Sequence, residues 1–94
     1  WRQEILRHLR DQRQIIQDFV AQQPELSMTQ LQGTYLAWID CRALNRPNLH
    51  RECVAAGLGP DDGEPYGKPG FLRFNLACST DNLETALQRF ASLL

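Results

Sequence analysis

The sequence predicts an α+β fold: a two-layer α/β sandwich in which a small, mostly antiparallel sheet carries helices on one face. Three observations predict it. Apolar residues recur at three- and four-residue steps over 1–23, over 45–56 and again after Ser79, the period of helices with one buried side. The segment 34–40 is β-branched and aromatic throughout, and 71–77 alternates strictly, the period of strands. Pro24, Gly33, Gly57 and Gly70 punctuate the junctions. The resulting order is α-β-β-α-(β)-β-α, with the bracketed strand placed near Leu58.

Each element has its own reasons. In 1–23 the stripe is Trp1, Ile5, Leu9, Ile16, Phe19 and Val20, widened by Leu6 and Ile15, with Arg and Gln on the opposite side. Pro24 ends it, because proline has no amide hydrogen and restricts the residue before it. Residues 26–31 and 34–40 form a hairpin about a Gln32-Gly33 turn. The second of these strands is apolar on both sides, so both should be covered. In 45–56, Asn45 or Asn48 serves as cap, Pro47 suits the first turn and Gly57 the end, with Leu49, Cys53 and Ala56 buried. Residues 58–70, holding four glycines and three prolines, read as a long loop. In 71–77, Leu72, Phe74 and Leu76 point one way, and Phe71, Arg73, Asn75 and Ala77 the other. Ser79 or Asp81 caps the last helix, Glu84 can close a capping box on Asp81, and Leu83, Ala86, Leu87 and Phe90 face the core.

Composition sets bounds. With 94 residues there is room for a single domain over 1–94. The net charge of −1, with acids interleaved among the arginines, leaves no basic stripe for nucleic acid. No apolar run approaches the roughly 20 residues that span a bilayer, and residues 1–4 carry no signal-peptide pattern. Three cysteines without paired spacing, Cys41, Cys53 and Cys78, read as reduced thiols of a cytoplasmic protein. Neither His8 nor His50 stands in a motif with a thiol, although His50 precedes Cys53 by one helical turn. The missing initiator Met suggests a chain cut from something longer.

The residue with the most chemistry is Arg73. A guanidinium offers a planar fork that matches a carboxylate, and a mid-strand position holds it rigidly. Asn75 lies two residues on, on the same side, and could support it. Read from spacing alone, Arg73 is rather the solvent-facing member of a half-buried strand than a binding residue. Asp40 reads as a strand-end residue rather than a base. The glycines of 57–70 match no phosphate-binding pattern, since no strand runs through them into a helix.

Two blocks carry a resemblance. Gly33-Thr34-Tyr35-Leu36-Ala37-Trp38-Ile39-Asp40-Cys41-Arg42 resembles the small-domain strand of the aminotransferase class I/II-fold enzymes that use pyridoxal 5′-phosphate (PLP). Gly63 through Tyr66-Gly67, followed by Gly70-Phe71-Leu72-Arg73-Phe74-Asn75-Leu76-Ala77-Cys78, is similar to the loop and final strand of the same enzymes. The likeness is nearest to the MalY/PatB-type cystathionine β-lyases, which are C–S lyases. The segment Leu83 to Phe90 is similar to their terminal helix. The resemblance implies that this chain is a C-terminal small domain, inactive alone, and that its own large PLP-binding domain is a partner. It implies that Arg73 binds the α-carboxylate of an amino-acid substrate, with Asn75 and Gly33 in support or backbone roles. The implied reaction turns cystathionine or a cysteine S-conjugate into thiol, pyruvate and ammonia, in a homodimeric parent. The only lysine, Lys68, falls outside the family's lysine motif, so PLP would be bound by the large domain and by nothing here. The segment from Leu49 to Gly57 departs from the family pattern in being shorter and more polar than the usual helix, and Gly57-Leu58-Gly59-Pro60 replaces a more apolar strand.

Two other readings stay open. One is the small domain of an aminotransferase with the same cofactor; the other is a free-standing ligand-binding or interaction module. The first reading carries one further expectation: the sheet face bearing Phe71, Arg73 and Asn75 should be partly bare and prone to self-association.

Overall fold

A computed structural model describes residues 1–30 and 35–94. The elements in chain order are α1 (Arg2–Ala21), β1 (Ser27–Gln30), β2 (Leu36–Asp40), a 3₁₀ turn (Arg42–Leu44), α2 (Leu49–Ala55), β3 (Asp61–Asp62), a second 3₁₀ turn (Glu64–Tyr66), β4 (Phe71–Asn75) and α3 (Thr80–Leu93). The four described strands form one antiparallel sheet in the order β1-β2-β4-β3. The fold is therefore the α+β class expected. The turn expected at Gln32-Gly33 lies outside the described residues.

Register decides which residues share a face. Ala37 pairs with Phe74 and Ile39 with Leu72, and these four point into the core. Ile16 and Val20 of α1, Leu49 and Cys53 of α2, and Leu83, Leu87 and Phe90 of α3 meet them there. Phe90 is fully buried, with Phe19 and Phe74 rings 5.9 and 5.6 Å from its own. The alternate residues pair on the other side: Leu36 with Asn75, Trp38 with Arg73, and Asp40 with Phe71. Ala37, Trp38 and Ile39 are all buried, so β2 is covered on both faces as its composition requires.

The helices keep their expected places with altered ends. Past Ala21, backbone bonds from Gln22 to Phe19 and from Gln23 to Val20 close the last turn of α1 just before Pro24. The apolar stripe of α1 reaches the core only from Leu9 onward. Trp1, Ile5 and Leu6 are exposed, whereas Gln12, expected on the polar side, is fully buried. Its amide is satisfied at both ends: Nε2 donates to the Cys78 carbonyl at 2.9 Å, and Oε1 accepts from Thr80 Oγ1 at 3.0 Å. Gln12 thus ties α1 to the β4–α3 junction, a use of a buried polar group that costs little because both ends are paired.

The α2 region is shorter than the expected 45–56. Pro47 precedes the cap rather than filling the first turn, and the cap, Asn48, makes no side-chain bond. The end is as expected: Gly57 takes φ +84°, with Gly57 N donating to Val54 O and Leu58 N to Cys53 O, a Schellman motif. Ser79, not Asp81, caps α3, its Oγ accepting from Asn82 N at 3.1 Å, so no capping box forms on Asp81. Asp81 stays in the first turn, where the helix dipole favours it. Residues 58–70 are not a plain loop. They fold back along β4, with the extra strand at Asp61–Asp62 rather than at Leu58.

Candidate functional site

The outer face of the sheet is where strand geometry and charge meet. Arg73 stands mid-strand on β4, directly across from Trp38 on β2 and from Asp61 on β3. Its guanidinium carbon lies 4.6 Å from the Tyr66 ring centre and 5.6 Å from that of Trp38. The two rings meet edge-on at 5.8 Å and 74°. Lys68 Nζ adds a second cation 5.7 Å from Trp38 and 5.2 Å from Phe71, while Arg42 lies 5.1 Å from the Phe71 ring. Such contacts are favourable because the ring face carries negative potential.

The outer face is partly bare, as expected: Phe71 and Arg73 are half-buried and Asn75 is exposed. Trp38 is only 6% exposed, because residues 64–68 fold over it and bring Tyr66 and Lys68 to its ring.

Arg73 is also paired within the chain. Nε and Nη2 both donate to Oδ2 of Asp61, at 2.9 and 2.7 Å, and Nη2 donates to the Tyr66 hydroxyl at 3.1 Å. The hydrogen bonding to Asp61 raises the Arg73 pKa above its ordinary value, which keeps the side chain cationic. The pair lies at the surface, with side chains 21% and 52% exposed for Arg73 and Asp61. Nη1 has no hydrogen-bond partner among the described residues.

The other singled-out residues are placed as follows. Asn75 shares the face of Arg73 but does not reach it. Its Oδ1 accepts from the Ala77 amide at 2.8 Å, a local turn that ends β4. Asp40 closes β2, taking a two-pronged bond from Arg42 at 3.0 and 2.8 Å, and that bonding lowers its pKa. Desolvation pushes the buried thiols of Cys41 and Cys53 up to about 12 and about 11, so both stay protonated and weakly nucleophilic. His8 and His50 each contact a backbone carbonyl, of Cys78 at 2.7 Å and of Pro60 at 3.0 Å, rather than a thiol. Gly33 lies outside the described residues. Among the described residues no cluster of His, Cys, Asp or Glu could hold a metal ion, and no helix is long and apolar enough to cross a membrane. A cleft of about 550 Å³ opens between Arg42, Arg46, His50, Asp62 and Phe71. Its charges are mixed, and Arg73 does not line it.

Sequence reasoning missed Asp61, Tyr66 and Trp38 as members of this cluster. Tyr66 had one signal, an aromatic set among Gly and Pro seven residues before Arg73. Asp61 had none, since only the β3–β4 register brings it to Arg73. Gly63 holds the return in shape. Its carbonyl accepts from Tyr66 N at 3.0 Å and Lys68 N at 2.9 Å, and a Cβ there would stand 2.3 Å from Lys68 O.

Lys68 lies against the aromatic faces of Trp38 and Phe71 in the 58–70 return.

An α+β layer with an outward arginine is the class that the fold and this face define, and solved structures similar to it include a PLP-bound candidate aminotransferase, a PLP-containing cystalysin and a PLP-dependent β-cystathionase. OvoB is similar over 98% of this chain, with 34% identity and a TM-score of 0.90. Cystalysin from Treponema denticola, which contains PLP, is similar over 97% with 30% identity and a TM-score of 0.83. A PLP-bound candidate aminotransferase from Clostridium difficile 630 is similar over 94% with 29% identity and a TM-score of 0.87. The chain spans about a quarter of each of these, 24%, 25% and 24% respectively. No protein-family model matches the chain, and no curated protein matches it.

Proposed function

We propose that this chain is the C-terminal small domain of a cytoplasmic, homodimeric PLP-dependent C–S β-lyase, in which Arg73 binds the α-carboxylate of the amino-acid substrate. One observation carries this reading. A permanently charged guanidinium is held mid-strand between two aromatic rings, at the surface, with Nη1 unpartnered among the described residues. PLP would be held by the large domain, and its part is to make the α-carbon of a bound amino acid reactive. Arg73 contributes binding and orientation. It fixes the carboxylate end of the substrate, so that the rest of the molecule is aimed in one direction. The leaving thiol would come from cystathionine or another cysteine S-conjugate. The likeness to a PLP-dependent β-cystathionase of Corynebacterium diphtheriae, 27% identical over 96% of this chain, supports the lyase reading. The likeness to a candidate aminotransferase supports the second reading, in which the same arginine serves amino-group transfer.

The test is steady-state kinetics of the full-length protein with L-cystathionine. Losing a hydrogen-bonded cation should lower kcat/KM for Arg73→Gln by roughly tenfold to a hundredfold, chiefly through KM. An unchanged kcat/KM would remove Arg73 from the site.

A further inference from the structure

We propose that Tyr66 is the second donor of the carboxylate site: its hydroxyl and Nη1 of Arg73 together take the two oxygens of the substrate carboxylate, while Asp61 positions the guanidinium. This rests on the assignment of Arg73 to the carboxylate.

The argument is a count of protons. A guanidinium has five N–H donors, one on Nε and two on each terminal nitrogen. Nε spends its proton on Asp61. Nη2 spends one on Asp61 and the other on the Tyr66 hydroxyl. Only Nη1 is left among the described residues. A two-pronged bond to a carboxylate needs two parallel donors on one edge, and Arg73 as held here supplies one. Tyr66 supplies the other. Its hydroxyl oxygen accepts from Nη2, so its own proton remains, and no acceptor for that proton lies among the described residues. Receiving a bond from a cation polarises the O–H and makes it a better donor.

The hydroxyl is also well placed and reachable. The Tyr66 ring lies against the guanidinium and edge-on to Trp38. Its backbone is pinned by the Gly63 carbonyl at 3.0 Å, in a return where a side chain at 63 has no room. The residue is 55% exposed. Asp61 uses a single oxygen on the Nε side of the guanidinium, so its pairing leaves Nη1 clear.

The test measures binding of L-alanine and of L-alaninamide, which lacks the carboxylate, to the full-length PLP-loaded protein by calorimetry. Tyr66→Phe removes one oxygen atom and keeps the ring. Expected is a loss of roughly tenfold or more in L-alanine affinity, the range of a hydrogen bond to a charged group, with alaninamide affinity unchanged. Equal weakening of both ligands would make Tyr66 structural and overturn the proposal. If Tyr66→Phe leaves L-alanine binding intact while Arg73→Gln weakens it, the proposal fails and the reading of Arg73 stands. If neither variant changes it, both fail together. Asp61→Asn should weaken L-alanine binding. Tighter binding would show that Asp61 competes for the guanidinium, which overturns its positioning role.

Discussion

The two faces of the sheet are built from the same strands by opposite chemistry. The inner face sets Ala37, Ile39, Leu72 and Phe74 against three helices, and its contacts are aliphatic and aromatic without direction. The outer face sets Trp38 beneath Arg73, Tyr66 and Lys68, where each contact has a sign and an angle. Residues on adjacent positions of β4 therefore differ in what they do. Leu72 and Phe74 stabilise the fold by leaving water. Arg73 stays at the surface, and its surroundings fix where a charge stands. Apolar burial belongs mainly to one face and directed, charged contacts to the other.

Three measurements can break or sharpen that contrast. The largest effect should come from Phe90→Ala, which empties a fully buried site between Phe19 and Phe74. Chemical denaturation should show a loss of about 3–5 kcal/mol, a large share of what a domain this small possesses. A loss as small as that of a surface substitution would mean that the inner face is not the source of stability.

Thiol chemistry should give the next effect. Reagent labelling of the native protein should reach Cys78 first, with Cys41 and Cys53 reacting only on unfolding. An unfolded thiol ionises near pH ~8.5, whereas burial holds Cys41 protonated to about 12. The folded pKa is raised, so this contribution to stability is complete below the unfolded value and is lost as pH rises toward the folded one. Unfolding midpoints followed from pH 8 to 11 should fall, and Cys41→Ala should flatten the fall. An identical slope in the variant would show Cys41 to be wetter than its surroundings indicate.

The smallest effect belongs to the outer edge. Asp40 has its pKa lowered by hydrogen bonding to Arg42, so the pair adds stability above the ordinary carboxylate value and loses it as pH falls through the lower folded value. The pair lies at the surface, with Arg42 66% and Asp40 20% exposed. Asp40→Asn should therefore move the denaturation midpoint only slightly, and added salt should erase the difference. A large, salt-independent loss would make this edge part of the structural core.

Much of this architecture was legible beforehand, for local reasons. Period-two alternation placed Leu72, Phe74 and Leu76 inward and Arg73 outward before any partner was known. Pro24 marked the end of α1 because proline cannot continue a helix, and Gly57 the end of α2 because glycine takes a positive φ without a steric penalty. Where the reading failed, the cause lay at long range. Gln12 looked polar and exposed, yet its partners are Cys78 and Thr80, more than sixty positions away in the chain. Asn75 looked like support for Arg73, yet a bond to a backbone amide two residues on was the nearer option. The cover over Trp38 went unseen because a Gly/Pro-rich stretch that read as a loop turns back as β3 and folds over that ring.

The amino-acid sequence by itself determined the helix and strand periods, the fold class and the side of β4 on which the guanidinium emerges. Those follow from 3.6- and two-residue repeats that each segment carries alone. Only the tertiary structure decided what surrounds that guanidinium. The β3–β4 register chose Asp61 as its anion, and the return at Gly63 delivered the Tyr66 ring and hydroxyl. Pairing between distant strands and the closing of a turn depend on the whole chain at once, and no short stretch of residues encodes them.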